Sequence, residues 1–160
     1  IKAENDDFIN LCVAHGDLSR CDSTYCPIYS EDIKNSNMDY IALGHIHKRS
    51  EVQRIGKTYY SYCGCPESTG FDETGEKGFY VGKISRNSFS LSFKACSKRR
   101  YEILKIDVTG ADDDSSVANL ILKKMIGCYG KNYAENIYKI ILTGETPEDF
   151  FININDIERI

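Results

Sequence analysis

Residues 39–44 read Asp-Tyr-Ile-Ala-Leu-Gly, a short apolar run that stops at a glycine. An apolar run of roughly four to eight residues bounded by turn residues reads as a buried strand. Residues 8–15 read the same way, with Phe, Ile, Leu, Cys, Val and Ala interrupted by one Asn. Between them, residues 16–29 mix Asp, Ser, Cys and Pro as a loop does. Ser30-Glu31-Asp32-Ile33 then opens a short helix, with Ser30 as cap and acids in the first turn. Strand, helix and strand in that order point to an α/β chain.

Two hairpins are expected next. Residues 51–55 and 58–62 flank Gly56-Lys57, and residues 79–84 and 89–94 flank Arg86-Asn87. Residues 63–78 hold four glycines and one proline and read as a long loop. The character changes near Ser97. A basic run, Lys98-Arg99-Arg100, precedes a strand at 101–108 and a helix that Ser115 caps and that runs to about Ile126. Val117, Ala118, Ile121, Leu122 and Met125 share one face of that helix, and a strand follows at 137–142. This β-α-β order suggests a small separate α/β unit, and we place a boundary near residue 98, giving units 1–98 and 99–160.

No apolar run approaches the roughly 20 residues needed to cross a bilayer, so no membrane partner is expected. The start of the chain is charged, lacks the apolar core of a signal peptide and does not begin with Met, as in a fragment or a processed chain. A net charge of −4 excludes bulk electrostatic coating of nucleic acid, so any DNA contact needs a local basic patch or a metal. Seven cysteines, an odd number without a secretion signal, fit reduced thiols in a cytoplasm.

The chain has three histidines, His15, His45 and His47, all at or just beyond the ends of expected strands. Residues two apart in extended backbone point the same way, and Gly44 permits a sharp turn. His45 and His47 can therefore face one pocket from the rim of a sheet. Neutral imidazole suits Zn, Mn and Fe. A rival metal reading joins Cys21, Cys26, Cys63 and Cys65 as four thiolates, though neither pair has the usual C-x2-C spacing. Asp17 is either an acceptor for an imidazole N–H or a solvated loop acid. Lys48, Arg49, Lys98, Arg99 and Arg100 are candidates for contact with a nucleic-acid backbone, or else a solubilising surface.

The run Asp39-Tyr40-Ile41-Ala42-Leu43-Gly44-His45-Ile46-His47-Lys48 resembles the last metal-binding motif of calcineurin-like phosphoesterases, most closely the SbcD- and YhaO-type DNA repair exonucleases. Tyr62-Cys63-Gly64-Cys65-Pro66-Glu67 is similar to that family's Tyr-Pro-Gly-Ser-Pro-Glu loop, with Cys63 and Cys65 where Pro and Ser are usual. Gly75-Glu76-Lys77-Gly78-Phe79 and His15-Gly16 also match family segments. The likeness covers about residues 8–94 well and 100–160 loosely.

The resemblance implies the C-terminal half of a four-layer metallophosphoesterase β-sandwich followed by a small α/β capping domain. It implies two divalent ions, Mn2+ by preference, with His15 and His45 on one and His47 on the other. It further implies hydrolysis of DNA phosphodiesters, an SbcC-like coiled-coil ATPase as partner and a role in DNA repair. The family's Asp-x-His, Gly-Asp-x-x-Asp and Gly-Asn-His-Asp/Glu motifs do not occur here. The chain is therefore expected to hold half a site, to be inactive alone, and to expose apolar strand faces that favour self-association, such as a homodimer. Two alternatives stay open: a phosphoesterase for nucleotides or phosphoproteins, and a non-catalytic binding module.

Overall fold

The computed structural model describes residues 2–4, 7–18 and 24–158. It is a mixed α/β chain that divides into two compact units, Ile1–Ser68 with Glu76–Ser97, and Thr69–Gly75 with Lys98–Ile160. The second unit thus takes a piece of the long loop as well as the C-terminal residues, which no single cut in the chain would give. No helix among the described residues is long and apolar enough to cross a membrane.

The first unit contains β1 (Leu11–His15), α1 (Ser30–Asn35), β2 (Tyr40–Gly44), β3 (Gln53–Ile55), β4 (Thr58–Tyr62), β5 (Gly78–Ser85) and β6 (Ser88–Ala95). Four strands form a sheet in the order β1-β2-β4-β3. β1, β2 and β4 run parallel, and β3 returns antiparallel on β4 across the expected Gly56-Lys57 turn. β5 and β6 are the second expected hairpin, whose Phe89 stacks on Tyr59 of β4 with centroids 4.0 Å apart.

The core follows from the alternation of β2. Ile41 and Leu43 are buried and meet Ile33 of α1, Met38, Tyr60 and Tyr62. Ile33 is only 1% exposed, a burial that contributes about 1.5–3 kcal/mol. Ser36 closes α1: its hydroxyl donates to the Ile33 carbonyl at 2.7 Å and accepts from the Met38 N–H at 3.2 Å. At the other end of that helix the cap is Tyr29, not Ser30, and the Asp32 carboxylate accepts the Tyr29 N–H at 3.1 Å.

The first strand is shorter than expected and shows the expected exposed apolar face. It begins at Leu11, and Phe8, Leu11 and Val13 are 69%, 60% and 87% exposed. β1 is the last strand of the described sheet, and only the face carrying Cys12 and Ala14 packs on the core. An unbroken apolar run reports that a strand is apolar on both faces, not that both faces are covered.

In the second unit β7 (Tyr101–Asp107) pairs in parallel with β8 (Ile137–Thr143). α2 (Asp114–Tyr129) and a 3-10 turn at Gly130–Glu135 make the crossover, and α3 (Ile154–Ile157) is a single turn. Leu104, Ile106, Val108, Ala111 and Val117 form its core, with Ile121 and Met125 packed against them. Leu122, expected on the same helix face, is 41% exposed. The cap is Asp113 rather than Ser115, its carboxylate accepting the Ser116 N–H at 2.6 Å. That bond and the Ser116 hydroxyl hold the Asp113 carboxyl below its ordinary pKa.

Candidate metal centre

Three parallel strands finish at one edge of the first unit's sheet, with His15 opposite Gly44 and Leu43 opposite Tyr62. In open α/β sheets the carboxyl ends of strands are where ligands bind. His15 is the last residue of β1, and His45 follows the last residue of β2. Their rings meet edge-on, with centroids 5.3 Å apart and planes at 78°. Tyr25 stacks on His45 at 5.8 Å.

Two backbone features bring the rings together. A Cβ on Gly44 would lie 3.0 Å from Nδ1 of His15, so a larger residue there would push the imidazole away. His45 itself has φ +103°, a region that L-residues rarely enter. Such a conformation costs on the order of 1–3 kcal/mol and persists only where the surroundings enforce it.

Tyr62, at the end of β4, fixes the loop after His15. Its buried hydroxyl donates to the Gly16 carbonyl at 2.8 Å and accepts the Leu18 N–H at 3.0 Å. Burial raises its phenol pKa, against the opposing pull of the Leu18 N–H. Asp17 is 6% exposed, which overturns the solvated-acid reading of this residue. Its backbone bridges to the neighbouring loop, donating to the Cys26 carbonyl and accepting the Ile28 N–H.

His47 is held through its backbone carbonyl by two side chains that the sequence did not mark as its partners. The nearly buried Lys77 donates to its carbonyl at 3.4 Å, and the Cys65 thiol does so at 3.7 Å. Gly64, at φ +81°, passes so close that a Cβ would sit 2.8 Å from the same oxygen. The only sequence signal for Lys77 was its place in the Gly-Glu-Lys-Gly segment, which says nothing about its contact.

Of the three histidines, the structure thus joins His15 with His45. The three side chains do not gather their ligand atoms within 4.8 Å of one another, whereas His47 and Cys65 do so pairwise. Imidazole nitrogens at a strand terminus are donors of the kind that zinc-type divalent ions accept, at metal–nitrogen distances of about 2.0–2.1 Å. For the four-thiolate alternative, Cys21 lies outside the described residues. Among the described residues no ligand cluster combines Cys26 with Cys63 and Cys65. Lys48 and Arg49 are exposed, and the Arg49 guanidinium lies over the Phe93 ring at 4.1 Å. Lys98 and Arg99 are exposed residues of the second unit. Arg100 is half-buried there, its backbone bonded to Asn136 and Ile137.

No protein-family model matches the chain. Over 149 residues the chain is 28% identical to a protein described as the uncharacterized metallophosphoesterase YhaO of Bacillus subtilis (strain 168). The similarity takes in 92% of this chain and 36% of that relative, so the chain spans about a third of the relative's length. This likeness supports the metallophosphoesterase resemblance read from the motifs.

Proposed function

We propose that this chain supplies the histidine side of a two-metal phosphoesterase centre whose substrate is the phosphodiester backbone of DNA. The observation that carries the reading is the His15–His45 pair at the carboxyl ends of adjacent parallel strands, with Gly44 leaving room for it. His15 and His45 hold one ion, Mn2+ in this proposal, and His47 holds the other. Bound divalent ions supply a lowered pKa for water and charge neutralisation at the phosphate. The protein's own part is orientation. Tyr62 anchors the His15 loop, and Lys77 with the 63–65 turn anchors His47. The four-stranded sheet is one layer of the four-layer β-sandwich, and the second unit is the capping domain. Lys48, Arg49, Lys98, Arg99 and Arg100 provide backbone contacts to DNA, and an SbcC-like coiled-coil ATPase is the partner.

The test is Mn2+-dependent cleavage by the intact gene product, assayed on single- and double-stranded DNA and on mononucleotides. DNA cleavage that His45→Ala and His47→Ala each reduce by more than about a hundredfold, with melting unchanged, is the expected result. Full cleavage by His47→Ala sinks the ligand assignment. Turnover of mononucleotides without cleavage of DNA transfers the reading to the nucleotide substrate.

A further inference from the structure

We propose that Cys65 is a metal ligand, pairing its thiolate with the His47 imidazole, so that the His47 side of the centre selects a thiophilic divalent ion such as Zn2+. This rests on the reading of the three histidines as metal-binding. It goes beyond that reading because it adds a fourth donor and a different ion preference.

The two side chains are placed together by their backbones. Gly64, at φ +81°, turns the 63–65 segment against residue 47 so closely that no Cβ fits beside the His47 carbonyl. The Cys65 carbonyl accepts the Gly78 N–H at 3.1 Å, which ties this segment to the start of β5. Lys77, the neighbour of Gly78, reaches the His47 carbonyl from the same side. Both partners are thus clamped by one short stretch of chain. Within that clamp a ring nitrogen of His47 and Sγ of Cys65 lie within 4.8 Å of each other.

Zinc takes sulfur at about 2.3 Å and nitrogen at about 2.0–2.1 Å, which sets two tetrahedral donors roughly 3.5 Å apart. On binding, the S–H proton passes to solvent and the S–M bond replaces the S–H to carbonyl contact. The His47 carbonyl does not become an orphan, because Lys77 still donates to it. Thiolate is a soft donor that favours zinc, whereas Mn2+ prefers oxygen donors. The His15–His45 side carries no such bias in its imidazole pair.

The competing account is that the Cys65 thiol is only a hydrogen-bond donor to His47, a task that serine performs as well. Cobalt titration of the purified protein separates the two. Wild type, Cys65→Ser, Cys63→Ser, His47→Ala and His45→Ala are each titrated with Co2+. The signals followed are visible d–d absorption and the near-ultraviolet sulfur-to-cobalt charge-transfer band. The expected result is a charge-transfer band in wild type and Cys63→Ser that is lost in Cys65→Ser and His47→Ala, while d–d absorption remains in Cys65→Ser. Zinc affinity should fall in Cys65→Ser at least as far as the roughly 10–100-fold that outer-shell partners carry, and manganese affinity by much less. Visible cobalt absorption that depends on His45 but has no thiolate band overturns the Cys65 assignment and leaves the histidine reading intact. A band that survives Cys65→Ser and vanishes in Cys63→Ser overturns it as well. Absence of cobalt binding in the wild-type protein overturns both.

Discussion

The His15 imidazole occupies the space that a side chain on Gly44 would need, its Nδ1 only 3.0 Å from where that Cβ would sit. The two residues are direct partners in the β1–β2 register, so the strand pairing itself sets the distance. Gly44→Ala should therefore act on His15 and not on the core. We expect Co2+ affinity to drop about tenfold or more, with a stability loss in the roughly 1–3 kcal/mol range of overpacked sites. Unchanged metal affinity in a folded Gly44→Ala protein would count against a shared ion.

The positive φ of His45 separates ligand loss from strain relief. Both His45→Gly and His45→Ala remove an imidazole. Only glycine takes φ +103° without the Cβ clash that costs roughly 1–2 kcal/mol. The glycine variant should be about 1 kcal/mol more stable than the alanine variant in urea denaturation. The reverse order would mean that the strain at this position is not real.

Tyr62→Phe removes one hydroxyl and leaves two backbone groups, the Gly16 carbonyl and the Leu18 N–H, without that partner. A cost of about 1–3 kcal/mol is expected, together with faster exchange of the Leu18 amide. Weaker Co2+ binding through a loosened His15 should accompany it. A neutral substitution with Leu18 still protected would show that the loop is held elsewhere.

In the second unit, burial first and then the Glu102 carboxylate push the Tyr129 phenol up to about 12. Unfolded tyrosine titrates near 10. Between these values the unfolded chain releases a proton that the folded chain keeps, so stability falls with rising pH. It is fully present below about pH 10 and is lost as pH climbs through about 12. Tyr138 is shifted in the same direction, so Tyr129→Phe should reduce the alkaline slope without abolishing it. An unaltered slope in denaturant titrations at several alkaline pH values would refute the assignment.

Elements set by local pattern were legible in the sequence. β2 could be read because its buried Ile41 and Leu43 stand two apart and a glycine ends the run. The hairpins could be read because Gly56-Lys57 and Arg86-Asn87 interrupt alternating strands. The exposure of Val13 was legible only through the family resemblance, since an apolar strand carries no mark of which neighbours cover it. At the candidate site, the strand-end positions of the histidines were visible. The groups that hold them were not. Tyr62 reaches Gly16 across 46 residues and Lys77 reaches His47 across 30. Their roles depend on tertiary approach, which neither propensity nor spacing encodes. Helix caps were missed by one or two positions, because Tyr29 and Asp113 precede serines that look like better caps in isolation.

The parallel pairing of β1 with β2 also orders events in time. The β5–β6 hairpin closes across two residues, whereas Leu11 must find Tyr40 across nearly thirty. Closing the longer loop costs more chain entropy before any contact repays it. The hairpins are expected to form early and the β1–β2 ladder late. His15 and His45 then stay apart through most of folding, and an ion arriving early finds no pair to bridge. Pulse-labelled amide exchange during refolding should protect Val81 and Ser92 before Ala14, at the same rate with and without divalent metal.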